Sequence, residues 1–76
     1  MKTRIKEFRT KTGLTQQQLA TAVHVSTRSV ISLEKGQYNP SLLLAYRIAV
    51  LFNTTVEELC CLKENKELED KKYEKI

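Results

Sequence analysis

The sequence predicts an all-α fold of five short helices joined by tight turns, with a charged C-terminal tail. Three observations carry that expectation. Apolar residues recur at three- and four-residue spacing along most of the chain. Each candidate segment begins or ends on a residue suited to a helix terminus. No alternating apolar and polar run occurs, and no Asn-Gly or Asp-Gly pair marks a hairpin.

The first segment, about residues 3 to 11, places Ile5 and Phe8 on one face, and Gly13 is its stop. Leu14 leads to Thr15, an N-cap whose box is completed by Gln18 three residues later. The second helix, about 16 to 23, turns Leu19, Ala20 and Val23 to one side. His24 and Val25 form a short turn. Ser26 then caps a third helix, about 27 to 35, with Val30 and Leu33 inward and Gly36 at its end. After a loop from Gln37 to Pro40, Ser41 caps a fourth helix of about 42 to 52. Its inward face is expected to hold Leu42, Ala45, Ile48, Ala49 and Phe52. Asn53 closes it, and Thr55 caps a fifth with Val56 and Leu59 as apolar contacts. From Lys63 the chain is highly charged. Pairs such as Glu67 with Lys71 permit a solvated extension of helix five, and fraying into disorder is an equal alternative.

Seventy-six residues form one domain with a thin core, which needs tight packing, a metal, disulfides or a partner subunit. The boundary falls between a folded unit at 1–62 and the tail at 63–76. Cys60 and Cys61 are adjacent and no further ligand lies near, so they read as two free, partly buried thiols. No metal and no cofactor are expected. The longest near-apolar run, Leu42 to Phe52, is interrupted by Arg47 and is too short to cross a bilayer. No signal-peptide core follows the basic start, so the expected location is cytoplasmic, with no membrane partner. The net charge is +4, and residues 1–62 carry all of it, because the tail holds five lysines against five acids. A basic body suits a polyanionic partner, since lysine and arginine displace counterions from phosphates.

One stretch says more. It reads Leu14-Thr15-Gln16-Gln17-Gln18-Leu19-Ala20, then Val23-His24-Val25-Ser26, then Val30-Ile31-Ser32-Leu33-Glu34-Lys35-Gly36. Ala20 stands where two helices cross closely, and a larger side chain would separate them. Val25, Val30 and Leu33 anchor the third helix, which frees its other face: Thr27, Arg28, Ile31 and Ser32. With the Tyr38-Asn39-Pro40-Ser41 loop, this pattern resembles the Cro/C1-type helix-turn-helix domains of phage repressors and their xenobiotic-response-element relatives. The likeness spans about residues 4 to 59.

The resemblance implies a lambda-repressor-like domain that binds double-stranded DNA, with the start of helix three in the major groove. Thr27, Arg28, Ile31 and Ser32 would then read bases. Arg28 fits guanine O6 and N7, and Ile31 fits a thymine methyl. Gln16 would clamp a phosphate and brace the recognition helix, helped by the unpaired N–H groups of the helix start. Gln17, Lys35, Gln37, Tyr38 and Asn39 are the other candidates for backbone contact. Arg9 and Glu34 sit where similar domains form an internal salt bridge. His24 departs from the glycine common in the family's turn, and it needs a left-handed backbone there.

Helix four is more apolar than one buried face requires. Leu43, Tyr46 and Val50 form a second stripe with Leu51 beside it, and a surface helix normally has one apolar face. With Leu59 and Leu62, this stripe is a candidate homodimer interface, and related repressors also pair at this end. The reading is a sequence-specific transcriptional regulator, a repressor on a pseudo-palindromic operator. The alternative is an antitoxin-like or adaptor protein that binds a protein partner. An enzyme is disfavoured: the chain has one His, no Ser/His/Asp or Cys/His set and no glycine-rich phosphate loop.

Overall fold

The computed structural model describes residues 1–73. It contains six helices: α1 Ile5–Lys11, α2 Gln16–Ala22, α3 Thr27–Glu34, α4 Leu42–Leu51, α5 Val56–Leu59 and α6 Leu62–Tyr73. There is no strand among the described residues.

Local chemistry fixes where the helices start. The Thr15 hydroxyl accepts from the Gln18 N–H at 3.0 Å while the Gln18 side chain accepts from the Thr15 N–H at 2.9 Å, closing the capping box. Ser26, Ser41 and Thr55 each accept the N–H of the residue three positions on, at 3.1 Å in every case. A cap of this kind is worth about 1 kcal/mol. The ends follow one pattern as well. At Gly13, His24, Gly36 and Asn53 the backbone turns left-handed, and the next residue's N–H returns to a carbonyl five positions back. This doubly bonded ending satisfies carbonyls that would otherwise be orphaned. His24 holds its position at φ 63°, a conformation that histidine reaches at some cost.

The core lies where α2, α3, α4 and α5 converge, with Ile5 of α1 closing it. Ile5, Leu19, Val30, Leu33, Ile48 and Leu59 are fully buried, and Ala20 keeps α2 close to α3. Phe8 stacks on Phe52 with ring centroids 6.0 Å apart, and the Arg4 guanidinium lies 5.1 Å from the Phe8 centroid. Cys60 and Cys61 are buried free thiols, and burial pushes the Cys60 thiol up. No group of three metal-ligating side chains occurs among the described residues, and none of their helices is long and apolar enough to cross a membrane.

Three expectations change. Helix five does not run on into the tail. It stops after a single turn, Cys61 turns left-handed at φ 49°, and a separate helix α6 starts at Leu62. Nothing in the sequence marks this break, because neither glycine nor proline stands there. Leu42 is not on the inward face of α4. It is 79% exposed, because Leu44 and Ala45 take the core side of that first turn. Leu59 is fully buried, which removes it from any surface interface. Residues 74–76 of the tail lie outside the described residues.

Candidate nucleic-acid interface

The site is built on α3, whose two sides divide the work. Val30 and Leu33 point into the core and fix the helix against α2. The opposite side carries Arg28, which is exposed, and Thr27, Ile31 and Ser32, which are partly so. These four form a mixed surface with one cation, apolar methyls and two hydroxyls. Lys35, Gln37, Tyr38 and Asn39 continue it, all exposed, around the end of α3 and along the loop. Tyr38 does not hang free: its hydroxyl donates to the Ser29 carbonyl at 3.3 Å, so the loop leans back on α3.

An acid on this surface would repel phosphate, and Glu34 sits at the end of α3. Its charge is consumed internally. Arg9 of α1 donates from Nε at 2.6 Å and from Nη2 at 3.2 Å, one bond to each carboxylate oxygen. Gln16 of α2 adds a third donor, Nε2 to Oε1 at 3.1 Å, and Arg9 Nη1 also bonds the Leu14 carbonyl at 2.9 Å. The Arg9 and Glu34 side chains are only 12% and 4% exposed. A forked pair of this kind sets geometry firmly, and here it ties α1, α2 and α3 together at one point. Gln16 therefore has two faces, one bonded to Glu34 and one open to solvent at the start of α2. Gln17 beside it is exposed.

The apolar stripe of α4 lies elsewhere. Leu43, Tyr46, Val50 and Leu51 are exposed large side chains, and Leu42 joins them. Sequence periodicity could not have placed Leu42, because α4 is apolar at every position except Arg47 and so has no polar face to orient it. Tyr46, Arg47, Val50 and Leu51 edge an open groove of about 450 Å³ whose other wall is Ala22, Val23 and His24, the end of α2 and its turn. Leu62 is separate: it opens on a different cleft, with Met1, Asn39 and Asn65.

A capped two-helix unit, a charged outer face on its second helix and an internally neutralised acid agree with the family model that residues 5–59 match, a helix-turn-helix. The chain belongs to the Cro/C1-type helix-turn-helix family. This is a family of DNA-binding transcriptional regulators rather than enzymes, and the protein is a regulator of that kind. It is similar to an uncharacterized HTH-type transcriptional regulator of Archaeoglobus fulgidus, 56% identical over 59 residues that make up 78% of this chain and 84% of that one. It is also similar to the uncharacterized HTH-type transcriptional regulator YgzD of Bacillus subtilis, 41% identical over 84% of this chain and 97% of that one. Among solved structures it resembles the restriction-modification controller protein C.AhdI of Aeromonas hydrophila. The TM-score is 0.66 at 33% identity, covering 72% of the regulator and 83% of C.AhdI.

Proposed function

We propose that the regulator is a cytoplasmic repressor that binds a pseudo-palindromic operator as a homodimer, reading the major groove with the outer face of α3. One observation carries this reading. The exposed side of α3 presents Arg28, and the one acid of that helix, Glu34, is held by Arg9 and Gln16. The surface left over is cationic and hydrogen-bonding, which suits base edges flanked by phosphates. Arg28 takes a guanine, Ile31 a thymine methyl, and Thr27 and Ser32 the neighbouring edges. Gln16, Gln17, Lys35, Gln37, Tyr38 and Asn39 follow the backbone and set the register.

Pairing through α4 accounts for its second apolar face. Leu43, Tyr46, Val50 and Leu51, with Leu42, would meet their copies across a two-fold axis, and the groove beside Tyr46 and Val50 gives a facing side chain somewhere to enter. Two recognition helices would then stand about 34 Å apart, one turn of duplex. The similarity to a restriction-modification controller protein supports a regulatory role.

The test is footprinting on genomic fragments, with DNA beside the protein's own gene as the first probe, and sedimentation of the free protein. A protected site with two related halves, bound more weakly as salt rises, is the expected result. Equal binding to all fragments would overturn the operator, and a monomer at tens of micromolar would overturn the solution dimer.

A further inference from the structure

We infer that Asn65 of α6 is a positioning residue for DNA binding, because it clamps the Met1–Lys2 segment that holds the end of the recognition helix. The inference rests on the DNA-reading role proposed for α3 and its loop. It concerns residues outside the 5–59 stretch that matches the family.

The Asn65 side chain takes both polar groups of Lys2. Its Oδ1 accepts the Lys2 N–H at 3.0 Å, and its Nδ2 donates to the Lys2 carbonyl at 2.7 Å. The second Nδ2 hydrogen goes to the Cys60 carbonyl at 2.6 Å, which anchors the amide to the end of α5. Only an amide offers this acceptor and both donors together. Lys2 Nζ also pairs with Glu64 at 2.8 Å, but those side chains are 61% and 57% exposed, so water competes and the pair adds little. The backbone clamp is the stronger tie, because it makes two bonds to Lys2 and is anchored by the part-buried bond to Cys60.

The other end of the strap is fixed on α3. The Met1 nitrogen donates to the Gly36 carbonyl at 2.9 Å. A β-carbon at Gly36 would stand 2.8 Å from the Met1 carbonyl oxygen, so the two backbones touch. Gly36 lies just past the end of α3, and the Gln37–Asn39 loop follows it directly. A mechanical path therefore runs from α6 through Lys2 and Met1 to the loop proposed to follow the phosphates. Direct packing does not offer a second path, because a cleft of about 610 Å³ opens between Asn39 and α6.

The experiment uses the full chain and compares Asn65→Ala with wild type and with Lys2→Ala. The two measurements are the salt dependence of binding to the footprinted site and hydrogen exchange of the loop amides. For Asn65→Ala, affinity should fall roughly three- to tenfold at moderate salt, while the slope of log K on log salt should stay at the wild-type value, because Gln37, Tyr38 and Asn39 are neutral and release no counterion. The Gln37 amide, bonded to the Ser32 carbonyl at 3.0 Å, should exchange faster, while amides of α2 stay protected. Base preference should be unchanged. Lys2→Ala, which keeps the amide clamp, should behave as wild type.

A merely destabilised protein would exchange the α2 amides faster as well, not those of the loop alone. Wild-type affinity, or loop exchange unchanged from wild type, in Asn65→Ala overturns the inference. If that variant does not fold, Asn65→Asp, which keeps the acceptor and removes both donated bonds, is judged by loop exchange alone, because its added charge would itself weaken DNA binding. If the wild-type chain shows no preferred DNA, the operator reading fails and loop exchange alone decides the clamp.

Discussion

Two helices, α3 and α4, each leave one face uncovered by the fold, and the chemistry of those faces is opposite. The face of α3 mixes a guanidinium, hydroxyls and one branched apolar chain, and the one acid of that helix is paired off behind it. The face of α4 is Leu42, Leu43, Tyr46 and Val50, with Arg47 the one charge beside them. A hydrated, anionic groove can satisfy the first and gives nothing to the second. Contiguous exposed apolar groups mark a surface that a dry partner covers. Each half-exposed leucine or valine still has about 1 kcal/mol to gain from burial. The contrast teaches that the two faces suit partners of different kinds, and in the proposed dimer the second would set how the first is met.

The largest effect should come from the α4 face. Val50→Glu places a charge in the middle of the stripe at a position that is 59% exposed, so the monomer should fold as before. The paired reader would disappear, and operator affinity should fall by about a hundred- to ten-thousandfold, the avidity of two linked sites. Sedimentation and a gel shift on the same sample check this. An unchanged affinity would remove α4 from the DNA-binding unit and end the comparison.

The α3 face should respond differently. Arg28→Ala leaves oligomeric state and folding alone, because Arg28 is exposed and makes no internal bond among the described residues. It should cost about 1–3 kcal/mol at the preferred site and flatten the preference at one base pair per half-site. Binding to a panel of single-base operator variants shows this directly. If all variants weaken equally and the salt slope falls, Arg28 touches phosphate instead, and the reading face has to be sought at Thr27, Ile31 and Ser32.

How far the sequence reveals these faces depends on what kind of signal each element carries. Caps and stops are local, so Thr15, Ser26, Ser41 and Thr55 and the turns at Gly13, His24, Gly36 and Asn53 are legible one by one. The outer face of α3 follows, since Val30 and Leu33 identify its inner one. Periodicity fails where there is no polar face to orient it, which is why Leu42 reads as core and stands in solvent. It also fails over a single turn: α5 has four residues, so Leu59 could be inside or outside on spacing alone. The Asn65 clamp joins residues 63 positions apart, and an asparagine among lysines and glutamates carries no mark of that pairing. Long-range hydrogen bonds to backbone are invisible to any local pattern.

The smallest effect separates positioning from reading within the α3 site itself. Gln16 is neutral, and one hydrogen of its amide is already given to Glu34 at 3.1 Å. The other can reach a phosphate oxygen at the start of α2. Gln16→Ala removes one neutral hydrogen bond to DNA, which should weaken all sequences alike by about two- to tenfold. No counterion is released by a neutral side chain, so the salt slope should stay at the wild-type value. The fold should hold, because Arg9 still bonds both oxygens of Glu34. Binding series at several salt concentrations distinguish the outcomes. Unchanged affinity would make Gln16 a brace only. A changed slope would mean that the Glu34 charge, no longer fully shielded, is felt at the phosphates, and the neutrality of the α3 face would then depend on Gln16 as much as on Arg9.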